Sequence, residues 1–148
     1  MYRLPFSNRA ATFLLALTFF FAPFARAEVI ELDNAGLKQA IATGVPVVDI
    51  RRADEWRQTG IIEGSRLITL PTNKAGDAYD VVAWMDAFGK LFRPDQPVVI
   101  LCRSGRRSGL VTAYLDQTAH YAKVYNVTAG TNGWLKDGNP TVRYEEKE

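Results

Sequence analysis

The sequence predicts an α/β domain with a five-stranded, mainly parallel sheet and helices on both faces. Short apolar runs rich in β-branched residues, of which 98–101 is the clearest, have the length of buried strands and lack polar alternation. Segments with apolar residues near helical spacing separate these runs. Strands that alternate with helices favour a parallel sheet in a three-layer arrangement.

The predicted elements follow one another without repeats or low-complexity segments. Asp33 or Asn34 can cap the first helix, which ends near Gly44. Pro71 ends the third strand, and the polar stretch 72–77 is predicted to be a loop. The predicted strands cover 29–32, 47–50, 67–70, 98–101 and 124–127. The predicted helices cover 34–42, 54–59, 79–91, 108–119 and 131–135.

The first 27 residues have the pattern of a secretory signal peptide. Arg3 and Arg9 precede an apolar run of about thirteen residues, Pro23 interrupts it, and 25–27 read Ala-Arg-Ala. A membrane anchor is the alternative, but a spanning helix needs about 20 apolar residues. We expect residues 1–27 to be a signal peptide and 28–148 to be the mature domain, located in the periplasm with no membrane attachment.

Charge and composition exclude several classes of function. The formal net charge is +2, but three arginines lie in residues 1–27, and the remaining chain has 15 basic against 16 acidic side chains. Bulk charge therefore gives no support for nucleic-acid binding. Cys102 is the only cysteine and His120 the only histidine, so we expect no internal disulfide and no metal site.

The most informative segment is VVILCRSGRRSGLVTAYLDQ. Its strand delivers Cys102 to a carboxyl end, where ligands bind in open α/β sheets. The loop around Gly105 can turn backbone N–H groups towards an anion, and a helix starting near Ser108 adds its own unpaired N–H groups. The loop also carries three cations, Arg103, Arg106 and Arg107.

These features favour the thiolate form of Cys102, which is nucleophilic without a histidine base. The alternative is a buried structural cysteine beside a solvated turn, because free cysteines often act as small core residues. The coincidence of strand end, glycine loop, basic cluster and helix start favours a reactive cysteine.

The chain also resembles a known family. CRSGRRSG resembles the active-site loop of the rhodanese (thiosulfate sulfurtransferase) superfamily, which opens with the catalytic cysteine. VVDIRRADEWRQTGIIEGSRLI resembles the first signature of that family, and VYNVTAGTNGWLKDGNP resembles its C-terminal signature. Two positions depart from the pattern: Ile61 stands for the usual histidine, and Ala129 for the first glycine of a pair. The resemblance implies a rhodanese-like three-layer domain with no metal or organic cofactor.

The resemblance implies sulfur transfer through a persulfide on Cys102. The partners would be a small anionic sulfur donor such as thiosulfate and a thiol or cyanide acceptor, with a protein acceptor also open. Asp49, Arg51 and Glu55 match the first signature and are predicted to support the strand end, with Arg51 and Glu55 paired. The predicted substrate-binding residues are Arg103, Ser104, Gly105, Arg106, Arg107 and Ser108.

Two alternatives remain. Enzymes of the same fold that hydrolyse phosphate esters or reduce arsenate use a C-x5-R loop, but that arginine position is Ser108 here and Arg107 falls one residue short. The shorter loop favours sulfur transfer. The second alternative is a non-catalytic module that binds a partner or carries sulfane sulfur to it.

Overall fold

The computed structural model describes residues 28–76 and 78–146. The predicted signal peptide, residues 1–27, lies outside the described residues. Within the described part of the chain, no helix is long and apolar enough to cross a membrane.

Five strands in the described residues form one sheet in the order β1-β5-β4-β2-β3. Every neighbouring pair is parallel, which confirms the α/β fold class and makes the sheet wholly rather than mainly parallel. All five carboxyl ends therefore lie at the same edge. The strands are β1 Glu28–Leu32, β2 Val47–Asp49, β3 Arg66–Leu67, β4 Val98–Leu101 and β5 Lys123–Val127.

In the described residues, four helices connect successive strands and a fifth follows β5. The carboxylate of Asp33 caps the first helix by accepting the Gly36 N–H at 2.8 Å, as predicted. The third helix is capped in the same way by Asp80, which accepts the Ala83 N–H at 2.9 Å. The helices are α1 Asn34–Ala42, α2 Ala53–Thr59, α3 Val81–Phe88, α4 Arg106–Gln117 and α5 Gly130–Lys136.

The strands β2 and β4 bury both of their faces, which gives the predicted three layers. Alternate residues such as Val48 and Ile100 pack with α3 and α4 side chains, including Trp84, Phe88 and Val111. The intervening residues form a second cluster with α1 and α5 on the other face. That second cluster contains Leu37, Ala40, Val47, Ile62, Val99, Leu101, Val127 and Trp134. The continuous apolar strand sequences follow from this two-sided burial.

The third strand is shorter than predicted, with two residues instead of the four of 67–70. It lies at the edge of the sheet and pairs only with β2, which itself ends at Asp49. The following chain stays beside that end, since Ile68 and Leu70 donate N–H groups to the carbonyls of Asp49 and Ile50. A regular ladder stops where β2 stops.

Two helices differ from their predicted bounds by two residues or more. The third helix, predicted over 79–91, is shorter because Asp80 caps it and Gly89 ends it. The fourth helix begins at Arg106, two residues before the predicted start at Ser108. Gly105 in a left-handed conformation allows this earlier start.

Candidate active site

Cys102 directly follows β4, the central strand of the sheet, at the carboxyl edge. The ends of β2 and β5 flank it on either side. This is the position where parallel α/β sheets bind ligands. Cys102 has no solvent-exposed surface, so reaction of its sulfur with a donor requires a side-chain rotation or a local movement of the loop.

The turn from β4 into α4 depends on Gly105. Its φ of +81° lies in the left-handed region that favours glycine. A Cβ at this position would lie 2.0 Å from the carbonyl oxygen of Thr128, in the segment after β5. No other residue therefore fits this turn without displacing the backbone.

The start of α5 pairs with the carbonyl groups of the loop. The N–H of Thr131 donates to the Cys102 carbonyl at 2.9 Å, and the N–H of Asn132 donates to the Arg103 carbonyl at 3.0 Å. Gly130 permits this close approach, because a Cβ there would lie 2.5 Å from the Cys102 carbonyl oxygen. These contacts hold two carbonyl dipoles, which would repel an anion, against α5.

The backbone N–H groups of residues 103–107, which we call the cradle, are candidates to bind an anion. None of them donates to an acceptor among the described residues. The next N–H, of Ser108, donates to the Sγ atom of Cys102 at 3.4 Å. Consecutive unpaired N–H groups in a turn attract anions, and the first turn of α4 contributes to the same field. The cradle thus suits an anionic sulfur or an oxyanion.

The hydroxyl of Ser108 contributes a further contact to the sulfur. Its Oγ lies 3.3 Å from the Cys102 Sγ and 3.1 Å from the Gly105 carbonyl oxygen, to which it can donate. The Gly105 carbonyl also accepts the N–H of Gly109 at 2.8 Å. The Ser108 hydroxyl can therefore turn to Sγ without leaving that carbonyl unpaired. A thiolate would then accept two hydrogen bonds from one residue.

Arg107 does not project as a free cation. Its two terminal nitrogens donate to the two carboxylate oxygens of Glu55 at 2.8 and 2.6 Å, and both side chains are about nine-tenths buried. Glu55 also accepts the N–H of Arg52 at 3.1 Å. The predicted pairing of Arg51 with Glu55 is wrong, because the partner of Glu55 lies 52 residues later in the sequence.

The two charges stabilise each other. Burial raises the pKa of Glu55, but hydrogen bonds from Arg107 and Arg52 and their charges outweigh it, so the pKa lies below its usual value. Burial lowers the pKa of Arg107, but the hydrogen bonds to Glu55 and the charge of that carboxylate raise it overall. The pair fixes the first turn of α4 to α2.

Arg51 pairs with Asp49 instead. Its Nη2 donates to the Asp49 carboxylate at 2.7 Å, and both side chains are almost completely buried. The same guanidinium donates to the Thr59 hydroxyl and the Gly60 carbonyl, at 2.7 and 2.8 Å. Arg51 therefore ties the end of β2 to the end of α2, and its contacts are structural.

The other loop residues face outward. Arg103, Ser104 and Arg106 are exposed, and neither arginine forms an ion pair with a described residue. A pocket of about 350 Å³ lies against this outer face. Its lining residues are Thr72, Gly76, Ala78, Tyr79, Ser104, Arg106 and Arg107. No group of three or more potential metal ligands is found in the described part of the chain.

Sequence reasoning missed three features of this site: the partner of Arg107, the role of 130–132 and the pocket wall formed by Tyr79. A signal existed for the second, since Gly130 belongs to the C-terminal signature. The other two depend on contacts between segments far apart in the sequence, for which no local pattern exists.

Comparisons with known proteins identify the family. The model of the rhodanese-like domain matches residues 33–137. A protein of Allochromatium vinosum named sulfurtransferase is 35% identical over 117 residues, which cover 78% of this chain and 96% of that protein. Thiosulfate sulfurtransferase 18 of Arabidopsis thaliana is 28% identical over 123 residues, covering 82% of this chain and 88% of that protein.

Solved structures agree on the fold. The crystal structure of a rhodanese-related protein from Thermoplasma volcanium has a TM-score of 0.60 at 23% identity, covering 78% of this chain and 99% of that one. The polysulfide-sulfur transferase homodimer of Wolinella succinogenes has a TM-score of 0.61 at 19% identity, covering 82% and 84%. The named relatives support a sulfurtransferase-type function. With the site at the end of its central strand, this chain belongs to the rhodanese-like domain family.

Proposed function

We propose that this protein is a sulfurtransferase that moves sulfane sulfur from a small anionic donor such as thiosulfate to a thiol or cyanide. The observation that carries the proposal is the cradle of unpaired N–H groups of 103–107 around the only thiol of the chain. A persulfide anion is a suitable ligand for such a cradle, because its charge lies on the terminal sulfur.

In the first step, the Cys102 thiolate attacks the outer sulfur of thiosulfate. A bond forms between Sγ and that sulfur, the sulfur–sulfur bond of the donor breaks, and sulfite leaves with the bonding electron pair. Cys102 then carries a persulfide anion, and total charge is conserved. The N–H groups that held the donor oxygens remain available to the terminal sulfur.

In the second step, the acceptor attacks the terminal sulfur and the Cys102 thiolate leaves with the electron pair. Cyanide gives thiocyanate, and a thiolate gives an organic persulfide. The step needs no histidine base because both nucleophiles react as anions. Arg103 and Arg106 attract the donor from solution, while Arg107 holds the cradle in place through Glu55.

We also propose that the protein is exported to the periplasm and that residues 1–27 are removed. The support is the basic, apolar and Ala-Arg-Ala order of this segment. Intact mass of the protein recovered from the periplasm should correspond to a chain that begins at Glu28.

The assay that tests the proposed function compares two reactions of one preparation. With thiosulfate and cyanide, the protein should form thiocyanate over many turnovers. With an aryl phosphate, hydrolysis should not exceed that of the Cys102→Ser variant, because the loop is one residue shorter than C-x5-R. Cys102-dependent phosphate hydrolysis without thiocyanate formation would favour the phosphatase alternative. Absence of both activities would favour a binding module.

A further inference from the structure

One wall of the pocket beside the cradle consists of residues that take no part in the first reaction step. An antiparallel bridge joins Thr72 and Tyr79. The N–H of Asn73 donates to the Ala78 carbonyl at 2.7 Å, and the N–H of Asp80 donates to the Pro71 carbonyl at 2.9 Å. This wall places the phenol ring of Tyr79, with 39% of its surface exposed, opposite the catalytic loop.

The size of the pocket exceeds the needs of a small donor. Its volume of about 350 Å³ falls in the range of about 300–1,000 Å³ that is typical of sites for organic ligands. Thiosulfate and cyanide each consist of only a few atoms and would leave most of this space empty. The pocket therefore has room for a carbon skeleton.

The charge of the pocket favours an anionic ligand. Arg106 and Arg107 both line it, but the charge of Arg107 is neutralised by Glu55. Arg106 is exposed and unpaired among the described residues, so it supplies the available positive charge. The hydroxyl groups of Thr72 and Ser104 add neutral hydrogen-bonding groups to the same lining.

We propose that this pocket selects the sulfur acceptor, and that the acceptor is a small organic thiol bearing a carboxylate. The inference rests on the proposed function. Arg106 binds the carboxylate, and Tyr79 packs against the carbon skeleton. The acceptor thiolate attacks the terminal persulfide sulfur, a new sulfur–sulfur bond forms to the acceptor, and the bond to Sγ breaks with its electron pair on Cys102. No oxidant or reductant is consumed.

A single-turnover experiment isolates this step. The purified protein is loaded with thiosulfate, the excess donor is removed, and the persulfide is mixed with N-acetylcysteine or its neutral amide. The decay of the persulfide form, followed by intact mass, gives a rate constant for each acceptor. Each rate constant is divided by the concentration of the ionised thiol. The ratio of the two rate constants is compared between the wild type, Arg106→Gln and Lys123→Gln. Lys123 is the matched control because it lies at the amino end of β5, the opposite edge of the sheet.

The wild type should favour the carboxylate acceptor by about three- to tenfold at low ionic strength. Arg106→Gln should bring the ratio close to one, and Lys123→Gln should leave it unchanged. Tyr79→Ala should slow the reaction of both organic thiols by a similar factor, so that the ratio of their two rate constants stays unchanged. An unaltered ratio in Arg106→Gln, or an equal loss in Lys123→Gln, would overturn the inference. A protein that does not load the persulfide would instead refute the proposed function.

Discussion

Cys102→Ser is expected to abolish thiocyanate formation, lowering turnover by about a thousandfold or more. The hydroxyl of a serine is not ionised near neutral pH and cannot form the persulfide on which both steps depend. Because the sequence contains no other cysteine, no second thiol can substitute. The measurement is steady-state thiocyanate production at saturating thiosulfate and cyanide.

The fold should survive this substitution. A serine hydroxyl at position 102 would occupy the place of Sγ and could still accept the Ser108 N–H. We expect the free energy of unfolding in urea to change by no more than about 1 kcal/mol. Appreciable thiocyanate production by a folded Cys102→Ser protein would mean that sulfur transfer does not pass through Cys102.

Arg107→Ala is expected to lower the free energy of unfolding by about 3 kcal/mol. The substitution leaves the Glu55 carboxylate about nine-tenths buried without its bidentate partner, and an unpaired buried charge is costly. The double substitution Glu55→Ala with Arg107→Ala should cost less than Arg107→Ala alone, because it removes the orphaned charge. Urea unfolding of the single and double variants measures this coupling.

The matched control is Arg52→Ala, since Arg52 also pairs with a carboxylate of α2. Its partner Asp54 lies at the surface, with the two side chains 58% and 64% exposed. Loss of this surface pair should lower the free energy of unfolding by less than about 1 kcal/mol. If Arg107→Ala lowers the free energy of unfolding no more than Arg52→Ala does, the buried pair does not stabilise the loop.

The pair of Arg107 and Glu55 also makes the free energy of unfolding depend on pH. The folded-state pKa of Glu55 lies below its ordinary value of 4.5. The contribution of the pair is therefore complete above that value and is lost as the pH falls through the lower folded-state pKa. The stability difference between wild type and Arg107→Ala should narrow in that acidic range.

The sequence predicted the elements whose signals are local. The bounds of β4 match those predicted because Pro97 precedes it and four buried apolar residues make it up. The sequence also offered Asp33 or Asn34 as the cap of the first helix, and the cap is Asp33. The length of the third strand was overestimated, because the apolar residues at 67–70 do not reveal that its partner β2 ends early.

The contacts of the site were less predictable than its nucleophile. Arg51 and Glu55, which match the first family signature, were predicted to pair and so to hold the strand end. Arg51 precedes the helix, however, and its guanidinium makes a bidentate contact with the carboxylate of Asp49, two residues earlier in the sequence. Glu55 is then free to meet Arg107, which lies in the first turn of α4. Pairings of this kind depend on tertiary geometry.

The central claim is that Cys102 accepts sulfane sulfur, and the intact mass of the protein tests it most directly. After incubation with thiosulfate and removal of excess reagent, the mass should rise by about 32 Da, with one sulfite released per chain. The gain belongs to Cys102 without ambiguity because the chain has a single cysteine, and Cys102→Ser should show none. A wild-type protein that is folded and reduced yet keeps its original mass under these conditions would contradict the account.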